Sequence, residues 1–335
     1  MTTSPDWAGA VKILDGAGQV CLACHVRPDA DALGSMLAFA QALRSRPGRE
    51  LSVIASFGDA PFEVPAVLRF LPGIGLLTRP AGFPARPEVM VSFDAGSIGR
   101  LGVLAESAAA ASELIVLDHH ASNTGFGTVN LVDPRAAATA VLTAELIDRM
   151  GGPLTRDIAL GLYAGLVTDT GSFKFPATTP QVHELAARLL ETGIDPGVVA
   201  RELYDRAPFG HLHMLSAALG RATLEPEACS GLGLVWTTVT RSDREQAGGL
   251  ALDAAESVID IVRRTDEAEV AVVLREDDNG SWQISVRSKD LIDAGAACTA
   301  LGGGGHARAA GFSFPGGAGA ATVALDSLRT VLDQR

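Results

Sequence analysis

A chain of 335 residues, 47% hydrophobic and 20% charged, has the length of two domains and enough apolar sequence to bury a core in each. Its formal net charge of −12 repels polyanions over the molecule as a whole, which argues against duplex DNA as a partner but not against a local phosphate pocket. No apolar run approaches the ~18 residues that span a bilayer, and Met1–Trp7 carries neither a basic nor an apolar leader segment. With only four cysteines, a disulfide scaffold is not expected. The expectation is a cytoplasmic protein without a membrane partner.

Taken in order, residues 1–18 predict a short amphipathic helix with Trp7, Val11 and Leu14 on one side. An apolar strand at 20–24 leads into the turn His25-Val-Arg-Pro-Asp29-Ala-Asp31, with Asp31 near a helix N-cap. A helix over 32–44 follows, its apolar residues Leu33, Met36, Leu37, Ala40 and Leu43 at helical spacing, and Gly34 leaves room for a close approach to its first turn. Further strands are expected at 51–57, at 89–93 running onto Asp94, and at 113–117 running onto Asp118-His119-His120, with a short helix at 64–71. Near-continuous apolar strands alternating with helices predict a mainly parallel sheet covered by helices on both faces. Helices over 137–150, 155–168 and 180–192 complete a first domain at 1–193. Residues 194–215, with Pro196 and Pro208 around a helix, read as a connector. Strands at 233–239, 269–274 and 282–286 with helices near 253–263 and 290–300 make a smaller α+β domain at 216–335.

Three strands thus end on acidic or imidazole groups, and ligand groups gather beyond the carboxyl ends of strands in an open parallel sheet. Asp29, Asp31, Asp94 and Asp169 bring four negative charges together, which repel unless protonated or matched by cations. Two divalent ions would neutralise them and could hold a nucleophilic hydroxide beside a phosphoryl oxygen. Mixed carboxylate and imidazole donors without thiolate favour Mn.

The motifs His25-x-x-x-Asp29-x-Asp31-x-x-Gly34-Ser35, Asp94, Asp118-His119-His120 and Asp169 resemble those of the DHH phosphoesterase superfamily in order and spacing. The resemblance implies that His25, Asp29 and Asp94 hold one metal and that Asp31, Asp94, His119 and Asp169 hold a second, with Asp94 shared. It implies His120 facing the substrate phosphate and Asp118 orienting a histidine.

In the second domain, Gly302-Gly303-Gly304-Gly305-His306 allows backbone N–H groups to face one anion, a flexible hairpin being the alternative. Arg287 could add a two-pronged phosphate contact. Arg287-Ser288 together with Gly302–Gly311 resembles the DHH-associated substrate domain, in the order found in NrnA-type enzymes. That implies a phosphoesterase for short phosphorylated nucleotides (oligoribonucleotides, adenosine 3′,5′-bisphosphate, cyclic dinucleotides), with Arg287, Ser288, Gly303, Gly304, Gly305 and His306 binding substrate in a cleft between the domains. A homodimer is left open. Residues 134–145 are richer in alanine than the family's polar segment, which counts against a hydroxyl contact to substrate from there. The alternatives are a pyrophosphatase or polyphosphatase of the same superfamily and a non-catalytic dinucleotide-binding regulator. Cys21-Leu-Ala-Cys24-His25 also matches a haem-attachment pattern, but an apolar strand without a leader is the wrong setting for it.

Overall fold

The computed structural model describes residues 5–46, 48 and 51–333. They form two compact units, 1–206 and 207–335. The expected 194–215 segment holds two helices, one in each unit, and residues 1–4 of the first expected helix lie outside the described residues.

The first unit runs α1 (Trp7–Gly16), β1 (Gln19–Cys24), α2 (Ala30–Arg44), β2 (Ser52–Phe57), β3 (Val89–Phe93), α3 (Ala105–Ala109), β4 (Glu113–Asp118), β5 (Val129–Val132), α4 (Thr139–Arg149), α5 (Arg156–Asp169), α6 (Pro180–Leu190) and α7 (Pro196–Tyr204). Its five strands are all parallel, in the order β2-β1-β3-β4-β5. Alternation in β1 sends Val20, Leu22 and Cys24 into the core beneath the longer helices, and Cys21 and Ala23 to the other face, under Leu101, Leu104 and Ala108. Cys21 and Cys24 therefore point to opposite faces of the sheet, both fully buried, and cannot hold one haem. Only a 3-10 turn, Ala66–Leu68, stands where a helix is expected at 64–71.

Where α2 passes α5, glycines set the separation. A Cβ on Gly34 would sit 2.4 Å from the carbonyl oxygen of Gly161, and one on Gly165 would sit 2.6 Å from Asp31 Oδ1. The close approach expected at Gly34 is thus made by a neighbouring backbone. The pairings Gly34–Gly161 and Asp31–Gly165 run in opposite senses along the two helices, so the C-terminal end of α5 returns to the N-terminal end of α2.

The second unit contains α8 (Gly210–Gly220), β6 (Thr223–Glu225), a four-residue turn α9 (Ala228–Gly231), β7 (Leu234–Val239), α10 (Arg241–Gln246), α11 (Val258–Val262), β8 (Val270–Glu276), β9 (Trp282–Ser288), α12 (Ala294–Ala300), β10 (Gly304–His306), β11 (Ala309–Phe314) and α13 (Ala320–Asp333). Its mixed six-stranded sheet has the order β10-β11-β9-β8-β7-β6, with only β7 and β8 parallel. One face packs Val272, Ile284 and Val286 against α12 and α13; the other packs Val235, Val239 and Val273 against α8 and α11.

Candidate active site

The register of three neighbouring strands assembles the site. Cys24 pairs with Phe93 and Phe93 with Leu117, so the next residues along, His25, Asp94 and Asp118, stand side by side at the carboxyl edge. Asp94 is reached through a left-handed backbone (φ +57) while its N–H still bonds the carbonyl of Leu117 at 2.9 Å. Aspartate tolerates that conformation better than bulkier residues, and strain of this kind concentrates at functional sites.

The helix cap is a correction. Asp29, not Asp31, is the N-cap of α2, its Oδ1 accepting from the Ala32 N–H at 2.9 Å. Asp31 is the second residue of the helix, with no exposed surface, accepting from the Thr139 and Ala140 N–H groups at 2.6 and 2.8 Å. It therefore caps α4 from across the unit, where orphan N–H groups favour a carboxylate.

His25 Nε2 lies 3.6 Å from Asp29 Oδ2 and 3.4 Å from Asp94 Oδ2. His119 Nε2 lies 3.1 Å from Asp169 Oδ2, 3.4 Å from Asp94 Oδ1 and 3.9 Å from Asp31 Oδ2. Each ring has its Nδ1 against a backbone carbonyl, Val26 at 2.9 Å for His25 and Ala136 at 3.2 Å for His119. With Nδ1–H donating there, Nε2 of each ring faces the carboxylates, to which it donates while protonated and beside which it could bind a metal once that proton is lost. Two groups of donors result, His25–Asp29–Asp94 and Asp31–Asp94–His119, each with ligand atoms within 4.8 Å of one another, and Asp94 belongs to both. Asp169 reaches the second group through its contact with His119.

His120 is held differently. Asp118 Oδ1 lies 2.7 Å from its Nδ1, and Asp118 Oδ2 accepts from Asn123 Nδ2 at 2.6 Å. Asp118 thus orients His120 through its Nδ1.

Charge explains the titration pattern. Burial opposes the ionised form of Asp94, yet a hydrogen bond from His25 and the charges of three histidines hold its carboxyl well below the usual range. Burial would lower His25 and His119, but hydrogen bonds and charges from Asp29, Asp94 and Asp169 push them up to about 10 and about 11. Asp169 is pushed up to about 6 by burial and by the charges of Asp29 and Asp94. Asp31, buried and facing Asp169 and Asp94, is pushed up as well.

Sequence reasoning missed three participants. Thr139 Oγ1 donates to Asp94 Oδ1 at 2.7 Å, from the alanine-rich segment that was weighed only for a hydroxyl contact to substrate. Its signal is a lone hydroxyl in the run Ala136-Ala-Ala-Thr139-Ala140. Asn123 steadies Asp118, and Arg100 places a guanidinium nitrogen 3.3 Å from His25 Nδ1.

In the second unit, Arg287 lies directly across from Ala309 on β11, and Ser288 Oγ donates to the Ala307 carbonyl at 3.1 Å. The end of the glycine run forms a hairpin: Gly304, Gly305 and His306 pair antiparallel with Gly311, Ala310 and Ala309 across a two-residue turn, and Gly302 and Gly303 precede the strand. A Cβ on Gly303 would meet the Gly311 carbonyl oxygen at 2.2 Å, so packing against β11 already demands glycine there, whereas Gly304 faces open space.

Comparison with known proteins agrees with this architecture. Residues 19–166 match the model of the DHH family, N-terminal domain, and residues 246–334 match that of the DHHA1 domain. The chain is 33% identical over 300 residues to the bifunctional oligoribonuclease and PAP phosphatase NrnA of Thermus thermophilus, covering 89% of this chain and 85% of that protein. It is 24% identical over 294 residues to the Bacillus subtilis protein of the same name, covering 87% of each. The crystal structure of an exopolyphosphatase-related protein from Bacteroides fragilis shares the fold, with a TM-score of 0.85, 22% identity and coverage of 100% of this chain and 99% of that one. Strand-end donors, domain order and sequence identity over most of its length agree: the chain belongs to the DHH family.

Proposed function

We propose that this protein is a phosphoesterase dependent on two divalent metal ions, which hydrolyses short phosphorylated nucleotides such as 5′-phosphorylated dinucleotides and adenosine 3′,5′-bisphosphate. The single observation that carries the reading is Asp94, a buried carboxylate with one oxygen toward each histidine-containing group. The names of the Thermus and Bacillus relatives supply the substrate class.

The donor chemistry fits two hard or borderline dications. Four carboxylates carry −4, two dications carry +4, and all donors are oxygen or imidazole nitrogen, the set that suits Mn better than thiolate-preferring metals. His25, Asp29 and Asp94 would hold one ion, and Asp31, Asp94, His119 and Asp169 the other. Bound there, the pair supplies an activated water and charge neutralisation for the phosphoryl group. The Val26 and Ala136 carbonyls fix the rings so that each Nε2 faces inward. His120, steadied at Nδ1 by Asp118, has its Nε2 to offer a phosphoryl or leaving oxygen as proton donor or charge stabiliser. Arg287, Ser288, Gly303, Gly304, Gly305 and His306 hold the rest of the substrate, and short substrates suit a molecule whose net charge repels long polyanions.

Hydrolysis of pyrophosphate, a 5′-phosphorylated dinucleotide, adenosine 3′,5′-bisphosphate and cyclic di-AMP, each with and without Mn²⁺, tests the reading. Metal-dependent turnover of the dinucleotide or bisphosphate is expected. Turnover of pyrophosphate alone would replace this reading with a pyrophosphatase, and tight dinucleotide binding without turnover would replace it with a regulator.

Two effects should follow. Thr139→Val removes the hydroxyl donor to Asp94 but leaves the backbone N–H that holds Asp31, so Mn²⁺ affinity or turnover should fall by about 10- to 100-fold in a folded protein; calorimetric titration checks it. In the metal-free protein the raised pKa values keep His25 and His119 protonated at neutral pH, so loading must expel protons and affinity should rise with pH. Both pKa values lie above the unfolded value. Their stabilisation of the metal-free fold is therefore complete below about pH 6.5 and fades as pH rises through about 10 to 11. Calorimetry of Mn²⁺ binding in two buffers of different ionisation heat measures the released protons.

A further inference from the structure

From the following geometry, and resting on the phosphoesterase reading above, we infer that Arg100, assisted by Arg27, binds the third terminal oxygen of a scissile phosphomonoester and so sets how well the protein handles monoesters relative to diesters. Arg100 stands beside the first donor group, with a guanidinium nitrogen 3.3 Å from His25 Nδ1. That ring nitrogen already donates to the Val26 carbonyl at 2.9 Å, so it offers Arg100 no lone pair. The guanidinium is instead a cation beside the His25 ring, and both Arg27 and Arg100 are exposed residues.

The local backbone is built to hold both. The Val26 N–H bonds the Arg100 carbonyl at 2.8 Å, tying the two loops together. Arg27 adopts a left-handed conformation (φ +52), uncommon for a long side chain, and its N–H is clamped by Asp59 Oδ2 at 2.7 Å. Two guanidiniums beside the first donor group, near Asp59, add several N–H donors to that side of the site. Their complement is a ligand with an additional anionic acceptor oxygen.

A phosphodiester has two non-bridging oxygens and one charge; a monoester has three and up to two. The additional oxygen is what a planar multi-donor cation binds well, and charge-assisted hydrogen bonds are the stronger kind. The bisphosphate presents a monoester and the 5′-phosphorylated dinucleotide a diester at the scissile position, while both carry the same 5′-phosphate, so comparing them isolates this oxygen.

The test compares kcat/KM for adenosine 3′,5′-bisphosphate and the 5′-phosphorylated dinucleotide in wild type, Arg100→Gln and Arg27→Gln, alongside inhibition by inorganic phosphate and calorimetric Mn²⁺ affinity. For Arg100→Gln the bisphosphate-to-dinucleotide ratio should fall by about 10- to 30-fold and the inhibition constant of inorganic phosphate should rise in step, with Mn²⁺ affinity within about threefold of wild type. Arg27→Gln should move the ratio the same way by a smaller factor. An unchanged ratio overturns the inference. So does an equal loss on both substrates with weakened Mn²⁺ binding, which would make Arg100 a positioning residue for His25. If wild type hydrolyses neither substrate with metal, the functional reading itself fails and takes this inference with it.

Discussion

Asp94→Ala is expected to reduce hydrolysis by at least about 10³-fold, roughly 4 kcal/mol of transition-state stabilisation. One oxygen of Asp94 lies 3.4 Å from His25 Nε2 and the other 3.4 Å from His119 Nε2, so a single truncation strips a donor from both groups. It also leaves Thr139 Oγ1 without its acceptor and three histidines without their common counter-charge. Asp94→Asn, which keeps the shape and an acceptor oxygen, separates loss of charge from loss of fold. Both variants should retain the far-ultraviolet circular dichroism of wild type. Near-normal turnover by Asp94→Ala would remove the shared role.

Gly34→Ala should cost about 2–3 kcal/mol of stability, near the upper end of overpacking penalties, because the added Cβ would meet the backbone oxygen of Gly161 at 2.4 Å. A flexible side chain could yield, but a carbonyl in the middle of α5 moves only if the helix moves. For a unit of this size the penalty corresponds to a fall in Tm of roughly 5–10 °C. Thermal unfolding of metal-free protein is the direct measurement. Metal affinity should fall with it, since α5 carries Asp169 and its Gly165 lies against Asp31. An unaltered Tm would mean that the two helices have slack, and the packing account of Gly34 would be wrong.

Much of the first unit was legible because its strands are near-continuous apolar runs ending on acidic or imidazole residues. The strands at 89–93 and 113–117 were read within a residue of their observed limits, and Asp94 and Asp118-His119-His120 fell at their ends. What escaped was set by distant partners. β5 is four residues with one fully buried, too short and mixed to rise above loop composition. Asp31 looked like a cap for its own helix because the sequence does not reveal that Thr139 and Ala140, over a hundred residues away, present bare N–H groups to it. The same tertiary pairing gave Thr139 its partner. In the second unit, β10 and β11 were hidden by glycine and alanine, residues of low strand propensity, although at Gly305 and Gly311 a Cβ would meet the neighbouring strand. The terminal helix α13 has no counterpart among the expected elements, although Ala324, Leu325, Leu328 and Leu332 keep helical spacing.

The most direct measurement is anomalous diffraction at the manganese edge from crystals soaked in Mn²⁺. The account predicts two peaks on either side of Asp94, one in contact with His25 and Asp29 and the other with Asp31, His119 and Asp169. A map with no peak at the carboxyl edge of the sheet, or with a single ion that does not touch Asp94, would contradict it.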